Sequence, residues 1–199
     1  MPNRITRCLL TLPMLLALAG CIGGTTPPSQ FYLLEPLKNL EESQPGAAGR
    51  FSIALAPVRI PQYVDRPQIV TATAKNAYHL SELNRWAERL DDNIARVLAQ
   101  NLSLLVPTDR VTLNASGQNP PTSLRVSVNI LQFHVDAQGQ AGLTTQWTVA
   151  KGGETLLARQ ASYHEAASTS DYRAMAGALN ECLNRLSRDI AEALRTLAE

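Results

Sequence analysis

Cys21 is the residue of this sequence whose type and position point to defined chemistry. It follows Leu18, Ala19 and Gly20, and this order matches the lipobox that lipoprotein signal peptidase cuts. In that reaction the Cys21 thiol receives diacylglycerol, the small residues at 19 and 20 fit the peptidase, and the new amino terminus accepts an N-acyl chain such as palmitate. The pattern predicts a covalent lipid on Cys21 and no other cofactor.

The residues before Cys21 have the character of a cleaved leader. Arg4 and Arg7 precede a short apolar run that contains Pro13, and no acidic residue occurs there. A membrane-spanning helix needs about 20 apolar residues, so this run is too short to remain as a span. We therefore expect residues 1–20 to be a lipoprotein signal peptide. The alternative is an ordinary secretory signal in which Cys21 is incidental.

The residues after the cleavage site predict where the domain is held. Two or more acyl chains give stable membrane attachment. The residue after Cys21 is Ile22, whereas an Asp there would favour retention in the inner membrane. We expect a lipid-anchored protein of the outer membrane that faces the periplasm. Residues 21–30 read as an acylated polar tether, and residues 31–199 are long enough for one domain with a core.

Charge and cysteine content argue against nucleic-acid binding and against an internal disulfide. Removal of Arg4 and Arg7 changes the formal charge from +1 to about −1, and no basic stripe remains to bind nucleic acid. Of the three cysteines, Cys8 leaves with the leader and Cys21 is acylated. Cys182 is then alone, so we expect a buried free thiol and no internal disulfide.

Catalytic and metal-binding patterns are absent from the sequence. The three histidines lie in separate segments without metal-ligand spacing, and no nucleophile elbow or phosphate loop occurs. Asp91 and Asp92 are adjacent on a predicted helix, where neighbouring side chains diverge and are solvated. We expect no enzymatic activity and no metal site; a periplasmic hydrolase lacks the residues it needs.

Hydropathy periods predict the elements that position these residues. Helices are expected from Trp86 to Pro107 and over 172–197, the second capped by Ser170 and Asp171. Hairpin turns are expected at Asn76 and at residues 151–154 (KGGE), and a bulge near Ile130. Strands are expected at 31–34, 51–58, 68–73, 77–80, 111–113, 124–135, 142–150 and 155–164. The predicted class is α+β, a mostly antiparallel sheet with two long amphipathic helices packed on one face.

A loop between prolines carries a family resemblance. Residues 58–70 read VRIPQYVDRPQIV and residues 84–90 read NRWAERL. Together with Tyr32 near the mature start, these stretches resemble the ABC-type transport auxiliary lipoprotein family of PqiC-like and YmbA-like proteins, over nearly the whole mature chain. One departure is Glu88-Arg89, where the family often has Glu-Pro.

The resemblance implies a non-catalytic subunit of a mammalian-cell-entry (MCE) type lipid transport system. In such a system an inner-membrane MCE-domain protein sends a tunnel across the periplasm, and the lipoprotein docks this tunnel at the outer membrane and supports envelope integrity. The resemblance also implies a homo-oligomeric ring. The alternative from another class is a structural envelope lipoprotein with no transport role.

The loop and Trp86 supply residue types that are common at the centres of interfaces. The candidate interface residues are Pro61, Tyr63, Asp65, Arg66, Pro67, Gln68 and Trp86. One hypothesis places them between protomers or against the tunnel protein. The other is that Asp65 and Arg66 pair with each other and fix the loop to the sheet. The sequence leaves both open.

Overall fold

The computed structural model describes residues 27–38, 51–108, 110–113 and 123–198 of the 199-residue chain. Helix α1 (Leu90–Leu105) lies between the fourth and fifth strands, and helix α2 (Tyr172–Ala198) follows the eighth. The strands are β1 (Gln30–Tyr32), β2 (Ser52–Leu55), β3 (Gln68–Ala74), β4 (Ala77–Trp86), β5 (Val111–Thr112), β6 (Ser123–Val135), β7 (Gln140–Lys151) and β8 (Glu154–Ala166).

The strands form one mixed sheet, with β6 at its centre. On one edge, β6 pairs antiparallel with β7, and β7 pairs antiparallel with β8. The other edge carries β2 in parallel at one end and touches β3 in parallel at the other, where Thr71 pairs with Val135. β5 extends the sheet from β2 in parallel, β4 pairs antiparallel with β3, and β1 pairs in parallel with β4.

The α+β class with two helices is therefore confirmed for the described part of the chain, whereas the sheet is mixed and not mostly antiparallel. The parallel pairs join segments that are distant in the sequence, as in the pairing of Gln30 with Asn84. A tight turn in the sequence predicts that the two flanking strands pair antiparallel. Parallel strands are joined by a long crossover, so no local sequence signal predicts their pairing.

Turn residues set the antiparallel hairpins as the sequence predicts. Asn76 has a positive φ of 62° in the turn between β3 and β4, a conformation that asparagine tolerates. Gly152 and Gly153 have φ values of 58° and 92° between β7 and β8, which favours glycine at both positions. The pairing of β6 with β7 shifts register between Ile130 and Gln132, which confirms the bulge near Ile130.

The helix boundaries follow local chemistry. Asp171 caps α2, since its Oδ1 accepts hydrogen bonds from the Arg173 amide at 2.9 Å and the Ala174 amide at 3.3 Å. α1 carries acidic side chains in its first turn, which favour the positive end of the helix dipole. Trp86 is the last residue of β4, so the prediction of a helix beginning there is wrong; α1 begins at Leu90.

The core lies between the sheet and the helices. α2 packs on β6, β7 and β8, and α1 packs on α2 and β5. Leu34, Trp147 and Phe133 are among the largest side chains with almost no exposed surface. The opposite face of the long strands carries polar side chains, where Thr144 contacts Ser162 at 3.1 Å and Gln146 contacts Gln160 at 3.1 Å.

Candidate functional site

The predicted lipidation site, Cys21, and the signal peptidase residues Leu18, Ala19 and Gly20 lie outside the described residues. The described chain begins with an exposed stretch at 27–29 and enters the sheet as β1. β1 pairs with the carboxyl-terminal end of β4, from Asn84 to Trp86. Residues 27–29 thus join the domain at this edge of the sheet.

Three asparagines hold the chain that follows β1. We call Asn93 and Asn101 of α1 and Asn180 of α2 the asparagine clamp. The Asn93 side chain accepts from the Leu34 amide at 2.8 Å and donates to the Leu34 carbonyl at 3.1 Å. Asn180 accepts from the Glu35 amide at 2.7 Å, and Asn101 accepts from the Leu37 amide at 2.8 Å.

The clamp replaces the backbone partners that a neighbouring strand would give. Residues 34–37 belong to no strand, yet three of their amides are hydrogen-bonded. Buried backbone groups need such partners because an unsatisfied one costs about 1–3 kcal/mol. Asn101 also donates to Asn184 Oδ1 at 3.1 Å and Ser187 Oγ at 3.0 Å, which ties the clamp to the helix–helix contact.

Sequence reasoning missed the clamp, although a signal for it exists. Asn93 and Asn101 lie on the buried face of α1 among Leu90, Ile94 and Leu98. Asparagine is a poor helix former and is seldom buried, so two of them in an apolar stripe indicate polar partners from another segment. The partner segment itself is not marked, since residues 34–37 have no unusual composition.

Backbone hydrogen bonds shape the 61–68 loop between β2 and β3. The Pro61 carbonyl accepts from the amides of Val64 at 3.1 Å and Asp65 at 3.2 Å, which closes a turn. Val64 is buried in the core, and the Pro67 carbonyl accepts from the Trp86 amide at 2.7 Å. The loop is therefore fixed to the domain at its middle and at its end.

Tyr63 anchors the loop to the end of β6. Its hydroxyl accepts a hydrogen bond from the Phe133 amide at 3.2 Å and lies 2.9 Å from Nδ1 of His134. The rings of Tyr63 and Tyr78 are 5.2 Å apart, and each ring meets His134 at its edge. Tyr63 is half-buried, so much of its side chain contacts other residues of the domain and is not available to a partner.

The hydrogen bonds around Tyr63 connect it to His134. The Tyr63 oxygen accepts from the Phe133 amide, and its own proton can be donated to His134 Nδ1 when that nitrogen is unprotonated. Burial lowers the pKa of His134 below its usual 6.5, and the Asp136 carboxylate opposes this shift. Burial also raises the pKa of Tyr63. Both effects favour the neutral pair.

The other candidate interface residues fall into exposed and buried groups. Asp65 and Pro67 are exposed, while Pro61, Arg66 and Gln68 are half-buried. No ion pair joins Asp65 to Arg66 among the described residues, and Arg66 Nε is buried without a hydrogen-bond partner there. Internal pairing of Asp65 with Arg66 therefore does not fix the loop.

Trp86 lies beneath the loop. Its side chain is 5% exposed, and its ring centroid is 6.4 Å from that of Phe133. So small a surface presents little to a partner; Trp86 belongs to the core cluster that also contains Val64 of the loop, and its amide donates to Pro67. Of the candidate residues, Asp65 and Pro67 face outward, together with parts of Pro61, Arg66 and Gln68, and the neighbouring Gln62 is exposed as well.

The remaining reactive groups show how little chemistry the described residues offer. Within the described ranges, no group of three or more His, Cys, Asp or Glu side chains is arranged to hold a metal. Cys182 is a buried free thiol, as predicted, and burial raises its pKa to about 11, far from the thiolate form at neutral pH.

Comparison with known families assigns the chain. The model of the family described as ABC-type transport auxiliary lipoprotein component matches residues 32–191. The chain belongs to this family. The match includes the 61–68 loop, Trp86 and all three clamp asparagines, so these features lie inside the family's domain.

Two curated relatives are similar to the chain at low identity. The intermembrane transport lipoprotein PqiC of Escherichia coli (strain K12) is 24% identical over 139 residues, which span 70% of this chain and 72% of the relative. The protein of the same name from Shigella flexneri gives the same values. Both relatives are named intermembrane transport lipoproteins.

Solved structures share the fold. An uncharacterised protein superposes with a TM-score of 0.70 at 19% identity, covering 84% of this chain and 99% of that one. A protein from Xanthomonas campestris gives a TM-score of 0.68 at 12% identity, with coverage of 82% and 93%. At such identities the likeness extends to the fold alone. In the described ranges, none of the helices has the length and apolar character needed to cross a bilayer.

Proposed function

We propose that this chain is a non-catalytic lipoprotein subunit of an MCE-type intermembrane lipid transport system. It is acylated at Cys21, held in the outer membrane and turned toward the periplasm, where it docks the tunnel of an inner-membrane MCE-domain protein and supports envelope integrity. The observation that carries the proposal is the family match over residues 32–191, together with relatives named intermembrane transport lipoproteins.

The attachment of the tether supports an anchored role. Between Cys21 and Pro27 the chain has six peptide steps, which span at most about 21 Å. Beyond them, β1 and the asparagine clamp connect the chain to both helices. A domain held so close to its lipid has a restricted position relative to the membrane, which suits a fixed docking point.

The 61–68 loop supports an adaptor role. It presents Asp65 and part of Arg66 from a backbone that Tyr63, Val64 and Pro67 hold in place. A rigid loop loses little conformational entropy on binding, which favours a contact site. Such a contact joins either neighbouring copies in a homo-oligomeric ring or the tunnel protein.

The experiment that tests this function is affinity purification of the natively acylated protein in mild detergent, followed by mass spectrometry. We expect an MCE-domain protein to co-purify. A Cys21→Ala variant, which cannot be acylated, serves as the control for anchoring and should lose the partner or the outer-membrane fraction. Recovery of the protein alone, under conditions that preserve other envelope complexes, would favour a structural lipoprotein.

The ring is tested separately. Light scattering of the purified acylated protein gives the mass of the assembly without any partner. We expect a multiple of the protomer mass that does not change on dilution. A monomer at all concentrations would contradict the ring while leaving partner recovery to decide the transport role.

A further inference from the structure

β8 presents an unpaired strand edge. It is 13 residues long, and within the described residues it pairs only with β7. An edge strand carries a row of free amide and carbonyl groups, which is a template for another extended chain. The question is which groups face outward and what lies beside them.

Hydrogen bonds at the end of β8 identify the outward groups. The Ala167 amide donates to Gly139 on the β7 side at 2.7 Å, whereas the His164 carbonyl turns outward and accepts from Arg185 Nη1 at 3.0 Å. Peptide groups alternate in direction along a strand. The amides and carbonyls of Ala158, Gln160 and Ser162 therefore face outward.

The edge is protected at its two ends and open between them. Arg185 covers the His164 carbonyl at one end. At the other end the register with β7 shifts between Val149 and Ala150, and such a bulge interrupts regular pairing. Residues 157–163 form a regular open edge of seven residues.

A pocket adjoins this open edge. It has a volume of about 130 Å³ and lies between β8 and the last turns of α2. Its lining consists of Leu157, Arg159, Glu192, Ala193, Thr196 and Leu197. The floor is aliphatic, and the rim carries one positive and one negative side chain. An edge strand beside a helix-bounded pocket is the arrangement by which extended peptides bind through strand addition.

The position of β1 in the sheet shows where the open β8 edge lies relative to the amino-terminal segment. β1 and β8 are at opposite edges of the sheet, with β4, β3, β6 and β7 between them. Five strand spacings of about 4.8 Å separate them by about 24 Å along the sheet. The chain enters the sheet at the β1 edge, so the β8 edge lies opposite the point where the proposed anchor segment joins the domain.

We propose that the open edge of β8 and the adjoining pocket bind an extended segment of the periplasm-spanning partner. The segment adds a strand to β8 and places one aliphatic side chain in the pocket. The part of the segment that enters the pocket carries no net charge, because the rim has one positive side chain, Arg159, and one negative side chain, Glu192. This inference rests on the proposed function and names the site where the partner docks.

A second copy of the chain fits this groove less well. Pairing of β8 with β8 brings side chains that the copy's own α2 already covers. Tyr163, for example, is 5% exposed and donates to Asp189 at 2.7 Å. Such a copy satisfies the strand edge but leaves the pocket unfilled, whereas a separate segment fills both.

Two variants test the groove in the full acylated protein. Thr196→Arg places a large side chain over the pocket from an exposed position of α2. Gln160→Pro removes an outward amide, and proline is tolerated on an edge strand where that amide faces solvent. Ala174→Arg, at an exposed position in the first turn of α2, is the matched control for the added arginine.

The readouts are recovery of the MCE-domain protein, amide hydrogen exchange of the complex and the mass of the protein alone. We expect Thr196→Arg and Gln160→Pro to lower recovery at least tenfold, and Ala174→Arg to leave it unchanged. In the wild-type complex, the peptide covering residues 157–163 should exchange at least tenfold more slowly. Thermal unfolding shows that each variant is folded.

The outcomes separate this inference from the proposed function. If the wild type recovers the MCE-domain protein and both groove variants do so equally well, the β8 site is wrong and the transport role stands. If the wild type recovers none, the transport role fails and this inference fails with it. A fall in oligomer mass with unchanged partner recovery would assign the edge to a second copy and overturn the proposal.

Discussion

The Tyr63 hydroxyl lies 2.9 Å from Nδ1 of His134 and is held there by the Phe133 amide, which donates to it at 3.2 Å. Two hydrogen bonds thus connect the 61–68 loop to the end of the central strand. The residue that the sequence offers as an interface candidate is also the residue that holds the 61–68 loop to β6. Its two contributions are separable by experiment.

Replacement of Tyr63 by phenylalanine tests the structural contribution. The change leaves the ring in place and removes the partner of the Phe133 amide and His134. We expect the free energy of unfolding to fall by about 1–3 kcal/mol, as for other unsatisfied buried groups. Tyr78→Phe is the control, since Tyr78 is half exposed and its hydroxyl has no hydrogen bond among the described residues. Equal stability of the two variants in urea would contradict the assignment.

Acidification should destabilise the domain through His134. Burial keeps the pKa of His134 below 6.5 in the folded state, so the unfolded chain binds a proton more readily. The stability is fully present above the unfolded pKa and falls as the pH decreases below it. We expect the Tm to decrease between about pH 7 and pH 5 and His134→Gln to remove most of that decrease. His164→Gln, at an exposed position, should retain it.

Loss of the Asn93 side chain should release the segment that follows β1. Asn93→Ala leaves both the amide and the carbonyl of the fully buried Leu34 without partners. We expect a loss of about 1–3 kcal/mol in unfolding free energy and faster hydrogen exchange over residues 33–38. Asn180→Ala, which removes one bond to an exposed segment, should cost less. Unchanged exchange in Asn93→Ala would show that packing alone holds the segment.

A charge reversal tests the exposed part of the 61–68 loop. Asp65→Lys changes an exposed carboxylate that forms no ion pair within 4 Å among the described residues, so the fold should keep its Tm. We expect recovery of the partner or the mass of the oligomer to fall, since a reversed charge at a contact costs several kcal/mol. Glu82→Lys makes the same charge change at a side chain that is 73% exposed on β4, where it also removes an ion pair with Arg85. No difference between the two variants in either measurement would remove the loop from the interface.

Local chemistry accounts for the parts of the fold that the sequence predicts. Asn76, the Gly152-Gly153 pair and Asp171 each act on the backbone of their own segment, so their turns and cap are found where expected. The apolar stripe of α2 is continuous, and its helix has nearly the predicted bounds. Such signals depend on residues within a few positions of one another.

The features that escape prediction depend on distant partners. Trp86 fits the stripe of a helix, but its pairing with Tyr32 of β1 places it in a strand. The parallel pairs of β1 and β2 follow from packing across the domain. The clamp asparagines form their hydrogen bonds to the backbone only when residues 34–37 lie across the two helices. In the loop, the residue types single out Tyr63 and Arg66 as candidate interface residues, but they do not show which of these side chains is buried and which is exposed.

The asparagine clamp has a mechanical consequence. If the chain is anchored through Cys21 as we propose, tension on that anchor enters the domain through β1 and pulls along residues 34–37. There it is shared by Asn93, Asn180 and Asn101, which lie in succession on two helices. Hydrogen bonds loaded together in shear resist force better than bonds opened one at a time. The pulling force therefore spreads into both helices at once, and through α2 it reaches the strands of the opposite edge.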